Sequence, residues 1–170
     1  MTRWGRFALA TTMLVAPASV AMAGEQPLYE PAPAWVTPAK LADPQSVTGG
    51  IAVLDFQQRI DGATVWNYAD TAIKLSTPEE LSQYSNITVA WAPDKGDLII
   101  HQLVILRDGA EIDALAGGQK FTVLRREQSL EQRELTGILS ATLPVEGLRA
   151  GDILRLRMST TVKDGALGGR

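Results

Sequence analysis

LIIHQLVILRDGAEIDAL, residues 98–115, decides the fold. Residues 98–107 alternate without a polar face: Ile100, Val104 and Leu106 fall on one side, Ile99, Leu103 and Ile105 on the other. A strand apolar on both sides must be covered on both sides, so this one is expected at the centre of a sheet. Asp108-Gly109 closes a two-residue hairpin, because both residues tolerate the positive φ such a turn requires. His101, the only histidine in the chain, lies inside this strand.

Similar signals extend in both directions. IAVLDFQQRI (51–60) and ATVWNYADTAIKL (63–75) flank Asp61-Gly62, a second hairpin turn. In the latter strand Val65, Asn67 and Ala69 alternate with Thr64, Trp66 and Tyr68. STPEELSQY (76–84) is the one clear helix start. Thr77 is the N-cap, Pro78 occupies the first helical position and Glu80 completes a capping box, with sequence enough for two turns. NITVAWA (86–92) and KFTVLR (120–125) read as strands, and Asn86 in N-I-T as a strand start rather than a glycosylation site. REQSLEQRELTG (126–137) fits either a short helix or a long loop. RELTGILSATLPV and GDILRLRMSTTV read as a final antiparallel pair joined by EGLRAG. Seven to nine strands and one short helix, without the helix punctuation of a parallel α/β protein, specify a mainly β chain, an antiparallel β-sandwich.

Residues 1–23 have the form of a secretory signal peptide. Arg3 and Arg6 precede a short apolar stretch that ends in Ala21-Met22-Ala23. The stretch is shorter than the roughly 20 residues that span a bilayer, so export and cleavage after Ala23 are expected, with a periplasmic or cell-envelope destination and no membrane span afterwards. Residues 24–50 hold five of the nine prolines and form a proline-rich arm, extended and not helical, with Trp35 as its expected anchor. Residues 51–170 form the β-sandwich module. Without Arg3 and Arg6 the formal charge falls from −3 to −5, which gives no footing for nucleic acid. Cysteine is absent, which removes thiol nucleophiles and thiolate metal sites.

Little remains for catalysis. As a general base His101 would need a nucleophile within reach and a group orienting its other nitrogen. The sequence has no G-x-S-x-G elbow, and His101 reads as a half-buried strand residue with one satisfied hydrogen bond. Asp94 and Asp97 fall far short of the six to eight oxygens that calcium takes. Glu127, Glu131 and Glu134, interleaved with Arg125, Arg126 and Arg133, read as an ion-paired surface rather than an acid–base pair. No catalytic residue, metal site or cofactor is expected. Arg125, Arg126 and Glu127 close a strand and form the candidate docking surface, where arginine is favoured over lysine.

PAPAWV, VWNYADTAIKLSTPEELSQYSNITVAWAP, LIIHQLVILRDGAEIDAL, FTVLRREQSLEQRELTGILSATLPVEGLRAGDILRL and a final GGR follow one another in fixed order, within a resemblance that runs from about Tyr29 to Arg170. In this order the chain resembles the N-terminal domain of unknown function of exported bacterial transglutaminase-like proteins. The resemblance implies a non-catalytic module ahead of a papain-fold domain that uses Cys, His and Asp. None of that triad can be carried over, since the chain lacks cysteine and His101 lies within the module. It also implies a module truncated at its C-terminal end, whose partner is its own missing transglutaminase-like domain or an equivalent envelope protein. A stand-alone carbohydrate- or peptide-binding sandwich, with Trp35, Trp66 and Trp91 as a stacking platform, is the alternative reading. A carboxylate-based hydrolase is the more remote one.

Overall fold

A computed structural model describes residues 24–41, 43, 46–47, 50–125 and 137–167. Within them are β1 (Leu28–Tyr29), β2 (Gly50–Asp61), β3 (Thr64–Lys74), α1 (Pro78–Tyr84), β4 (Asn86–Trp91), β5 (Leu98–Arg107), β6 (Ala110–Asp113), β7 (Thr122–Arg125), β8 (Leu139–Pro144) and β9 (Ile153–Lys163). Two sheets pack as a mainly β sandwich. The larger has the order β1-β5-β9-β3-β2, with β6 also paired to β5; the smaller has the order β4-β8-β7. The core between them joins Leu98, Ile100, Leu103, Ile105 and Leu154 of the larger sheet to Val89, Trp91, Leu139, Ala141 and Leu143 of the smaller.

β5 is interior, as its apolar faces require, with β9 on one flank and β1 and β6 on the other. Its faces are not the expected ones. The register with β9 runs from Ile100 opposite Met158 to Gln102 opposite Arg157, so His101 is the extra residue of a β-bulge. The bulge reverses the alternation. Ile100 joins Leu103 and Ile105 in the core, while Ile99, Val104 and Leu106 oppose Ser159, Arg155 and Ile153 on the outer face.

Both hairpins form. Asp108 and Gly109 have φ of 50° and 80°, the backbone a mirror-image two-residue turn demands. The first hairpin is offset by one residue from the expected Asp61-Gly62. Asp61 pairs with Thr64, so Gly62-Ala63 is the loop and only Gly62 has positive φ. α1 starts as its capping box dictates, Thr77 accepting from the Glu80 amide while Glu80 reaches back to the Thr77 amide. The expected final hairpin does not exist. β8 pairs with β4 and β7, whereas β9 crosses to the larger sheet between β3 and β5. The 145–152 connection therefore passes from one sheet to the other. Arg107 braces it with two 2.7 Å hydrogen bonds to the Asp152 carboxylate and a third to the Gly147 carbonyl. Burial opposes ionisation of Asp152, but Arg107 and the Arg149 amide outweigh it and hold the carboxyl below its ordinary pKa.

The arm is integral to the fold. β1 adds a short parallel strand to β5, Leu28 opposite Ile99. The Tyr29 hydroxyl accepts from the Phe121 amide at 2.8 Å. Beyond it the arm lies across the outer face of the larger sheet. Thr37 exchanges two hydrogen bonds with the Gln57 side chain, and Ala39 and Leu41 pack on Val53, Ala72 and Ile153. Trp35, the expected anchor, is only half-buried and belongs to neither apolar cluster.

Candidate functional site

Opposed residues of antiparallel strands share a face. The outer face of the larger sheet therefore gathers Tyr68 and Asp70 from β3, Arg155, Arg157 and Ser159 from β9, and Gln102 from β5 beside the bulged His101. Asp70 is 0% exposed. Arg155 grips both its oxygens, at 2.8 and 2.6 Å, and also donates to the Ala39 carbonyl of the arm. Arg157 adds a 3.2 Å bond to Asp70 and passes the chain on to Gln102, which donates to Glu111. These bonds tie both arginines to Asp70, and through Arg155 they fix the arm over the sheet. They form a structural network. The sequence reading missed Asp70, Arg155 and Arg157, because RLR on a β-strand resembles an exposed face.

His101 has two partners where one was expected. Nδ1 lies 2.8 Å from the Glu30 carbonyl and Nε2 lies 2.7 Å from Ser159 Oγ. A carbonyl only accepts, so Nδ1 carries the proton and Nε2 of the neutral ring accepts from the serine hydroxyl. Tyr68 stacks on the ring, with centroids 5.8 Å apart. The pair has the spacing of a nucleophile and its base. Ser159, however, is 0% exposed, and no substrate carbonyl reaches a hydroxyl without exposed surface. A backbone carbonyl, not a carboxylate, orients the ring.

Burial lowers the His101 pKa from 6.5, with the Glu30 carbonyl opposing. A base whose folded pKa is depressed favours the folded state when neutral. Its stabilising contribution is therefore present above pH 6.5 and lost as pH falls from there through the lower folded pKa. Denaturant titrations at a series of pH values should show stability level from neutrality up to the range where tyrosines titrate, and declining on acidification below neutrality, before the carboxylates titrate. In His101→Gln that decline should vanish.

Of the candidate docking residues, Arg125 is exposed and, among the described residues, its side chain makes one long 3.3 Å contact, with Glu25. Arg126 and Glu127 lie outside the described residues, as do Glu131, Arg133, Glu134 and the signal-like stretch 1–23. Asp94 and Asp97 gather no third ligand: among the described residues no group of three or more His, Asp or Glu is placed to hold a metal. Trp91 is buried in the core, donating Nε1–H to the Gly24 carbonyl at 2.9 Å, and so is lost to any stacking platform.

A different surface stands out. The inner face of β2 carries Ile51, Leu54, Phe56 and Ile60, all exposed, Phe56 to 69%. They oppose Ile73, Thr71, Ala69 and Val65 on β3 and so point toward the side on which the smaller sheet packs. With three strands among the described residues, that sheet stops short of β2. A groove of about 310 Å³ marks its limit, between Tyr84 and Ile87 on one wall and Thr71, Ile73, Leu154 and Leu156 on the other. Face and groove form one open apolar surface. Monomeric soluble proteins seldom expose such a patch without something that covers it.

The fold has a solved counterpart in the crystal structure of a protein described as a "putative protease" from Parabacteroides distasonis ATCC 8503. The two match with a TM-score of 0.56 at 16% identity, over 66% of this chain and 22% of that one. This chain thus corresponds to less than a quarter of the length of that protein, and the likeness is one of fold. No curated protein matches the chain. Residues 61–170 match the family model described as "Domain of Unknown Function with solved-structure structure", and the chain belongs to that family, DUF3857.

Proposed function

We propose that the chain is a non-catalytic accessory module, exported and periplasmic or envelope-associated, that docks on a transglutaminase-like (papain-fold) domain. In this reading the partner domain belongs to the same longer protein or to an equivalent envelope protein. The carrying observation is the open face of Leu54, Phe56 and Ile60 with its adjoining groove. Covering each such side chain is worth about 1.5–3 kcal/mol, ample for a specific interface. The resemblance in motif order supports the choice of partner, and so does the recurrence of the fold as a minor part of a longer chain described as a protease. Basic Arg3 and Arg6, the apolar stretch and Ala21-Met22-Ala23 support export.

Calorimetric titration of this chain with a separately expressed transglutaminase-like domain from a longer relative tests the proposal. Binding is expected, and Leu54→Asp with Phe56→Asp should weaken it on the order of 100-fold or more, as loss of two central anchors does. The same substitutions should leave stability within about 0.5 kcal/mol, since both side chains are exposed. No binding, or binding indifferent to both substitutions, would refute the docking face.

A further inference from the structure

β2 has a second unsatisfied surface, its edge. It ends the larger sheet and pairs only with β3, and among the described residues no backbone group of residues 51–61 bonds to anything beyond that ladder. An exposed strand of this length is a template for another strand unless it is blunted. Bulges, proline and edge charges are the usual devices. β2 has one irregularity near its start, between Ile51 and Val53, and no proline after it. It does have three charges, Asp55, Arg59 and, at the hairpin end, Asp61.

Neither Asp55 nor Arg59 is neutralised within the described residues. Asp55 lies directly opposite Asp70, a like charge whose counterions are Arg155 and Arg157. Asp55 itself receives only the Gln57 side-chain amide, at 2.6 Å. Among the described residues no ion pair involves Arg59. An unpaired acid and an unpaired base thus lie on one face of a free edge, two positions either side of Gln57.

That spacing is self-complementary. We infer that β2 pairs antiparallel with β2 of a second copy of this chain, about a two-fold axis through Gln57. In this register Asp55 of each copy opposes Arg59 of the other, twice by symmetry, and Leu54 opposes Ile60. Phe56 meets Gln58 directly and lies diagonal to the other Phe56. Opposite-charge and apolar cross-strand pairs are those that stabilise an antiparallel ladder, and a two-fold contact of this kind is closed. A register centred one residue earlier, on Phe56, would set Arg59 against Val53 and Asp55 against Gln57, and so leave every charge unpaired. The pairing uses the strand's edge, is independent of the docking reading, and leaves the apolar face of both copies open above the joined sheet.

The test is sedimentation analysis of the full chain over a range of concentrations. The wild type should be in monomer–dimer equilibrium. Asp55→Arg and Arg59→Asp, by setting like charges opposite each other at both ends of the contact, should each weaken dimerisation on the order of 10-fold or more. An equimolar mixture of the two variants should recover it, because each copy then meets opposite charges at both positions. A wild type that stays monomeric, a dimer indifferent to both substitutions, or a mixture no tighter than its components would overturn the inference. Circular dichroism checks folding. Should Asp55→Arg unsettle the adjoining Asp70 network, Arg59→Glu on the exposed end of β2 decides alone: an unchanged dimer refutes the pairing, and a weakened one upholds it.

Discussion

Asp70→Ala is expected to cost about 3–5 kcal/mol of unfolding free energy, the loss that follows when one member of a buried ion pair is removed. Asp70 has no exposed surface, and Arg155, nearly as buried, directs two of its donors at it. Without the carboxylate the guanidinium keeps only the Ala39 carbonyl. Arg157 loses one bond but keeps Gln102 and some contact with water, so its share of the cost is smaller. The double variant Asp70→Leu with Arg155→Met should recover most of the loss, because it removes both charges together and leaves apolar volume in their place. Denaturant unfolding of the two variants measures this. A single substitution costing less than about 1 kcal/mol would mean that water reaches the pair and that the arm does not seal it.

Gly96→Ala should be nearly as damaging, at about 3 kcal/mol, for a reason unrelated to charge. A Cβ at this position would lie 1.9 Å from the backbone carbonyl oxygen of Thr161. That oxygen belongs to β9 and cannot rotate away as a flexible side chain would. The approach is close because the turn after β4 docks on the end of β9. Asp97 donates its amide to the Thr161 hydroxyl at 2.8 Å and accepts from the Thr161 amide at 3.0 Å, and Lys163 donates to the Lys95 carbonyl at 2.7 Å. Thermal unfolding should show the loss for alanine. A near-neutral substitution would mean that this turn adapts freely.

Much of this architecture was legible because it depends on local chemistry. The Asp108-Gly109 turn, the Thr77–Glu80 capping box and the two-sided apolar character of residues 98–107 each answer to backbone geometry within a few residues. Sheet membership is different. β8 and β9 look like a hairpin, and only packing separates them into two sheets. The bulge at His101 was equally hidden, since the alternating pattern can be read through it with the wrong phase. Buried charge was invisible for a third reason. Arg155 and Arg157 sit at positions of β9 that would face water if the arm did not lie over them, and Ala39 is more than a hundred residues away in sequence.

The exposed face of β2 was hidden for a related reason. Leu54, Phe56 and Ile60 alternate as core residues should, and an apolar alternation says nothing of whether an opposing sheet extends far enough to cover it. His101 found the base-like setting that the sequence did not suggest, including a serine partner, yet burial makes that pair a clasp between β9, the bulge and the arm. Arg125 is exposed and lies 3.3 Å from Glu25, while Arg126 and Glu127, the rest of the cluster read from the sequence, lie outside the described residues.

Hydrogen–deuterium exchange tests the central claim, that this apolar surface is a docking face, most directly. The comparison is between this chain alone and the same chain mixed with the transglutaminase-like domain. Added protection should concentrate in residues 51–60 and 71–73 and in α1 and β4, which border the face and the groove, with the outer network around Asp70 unchanged. Protection confined to other surfaces, or none at all, would contradict the account.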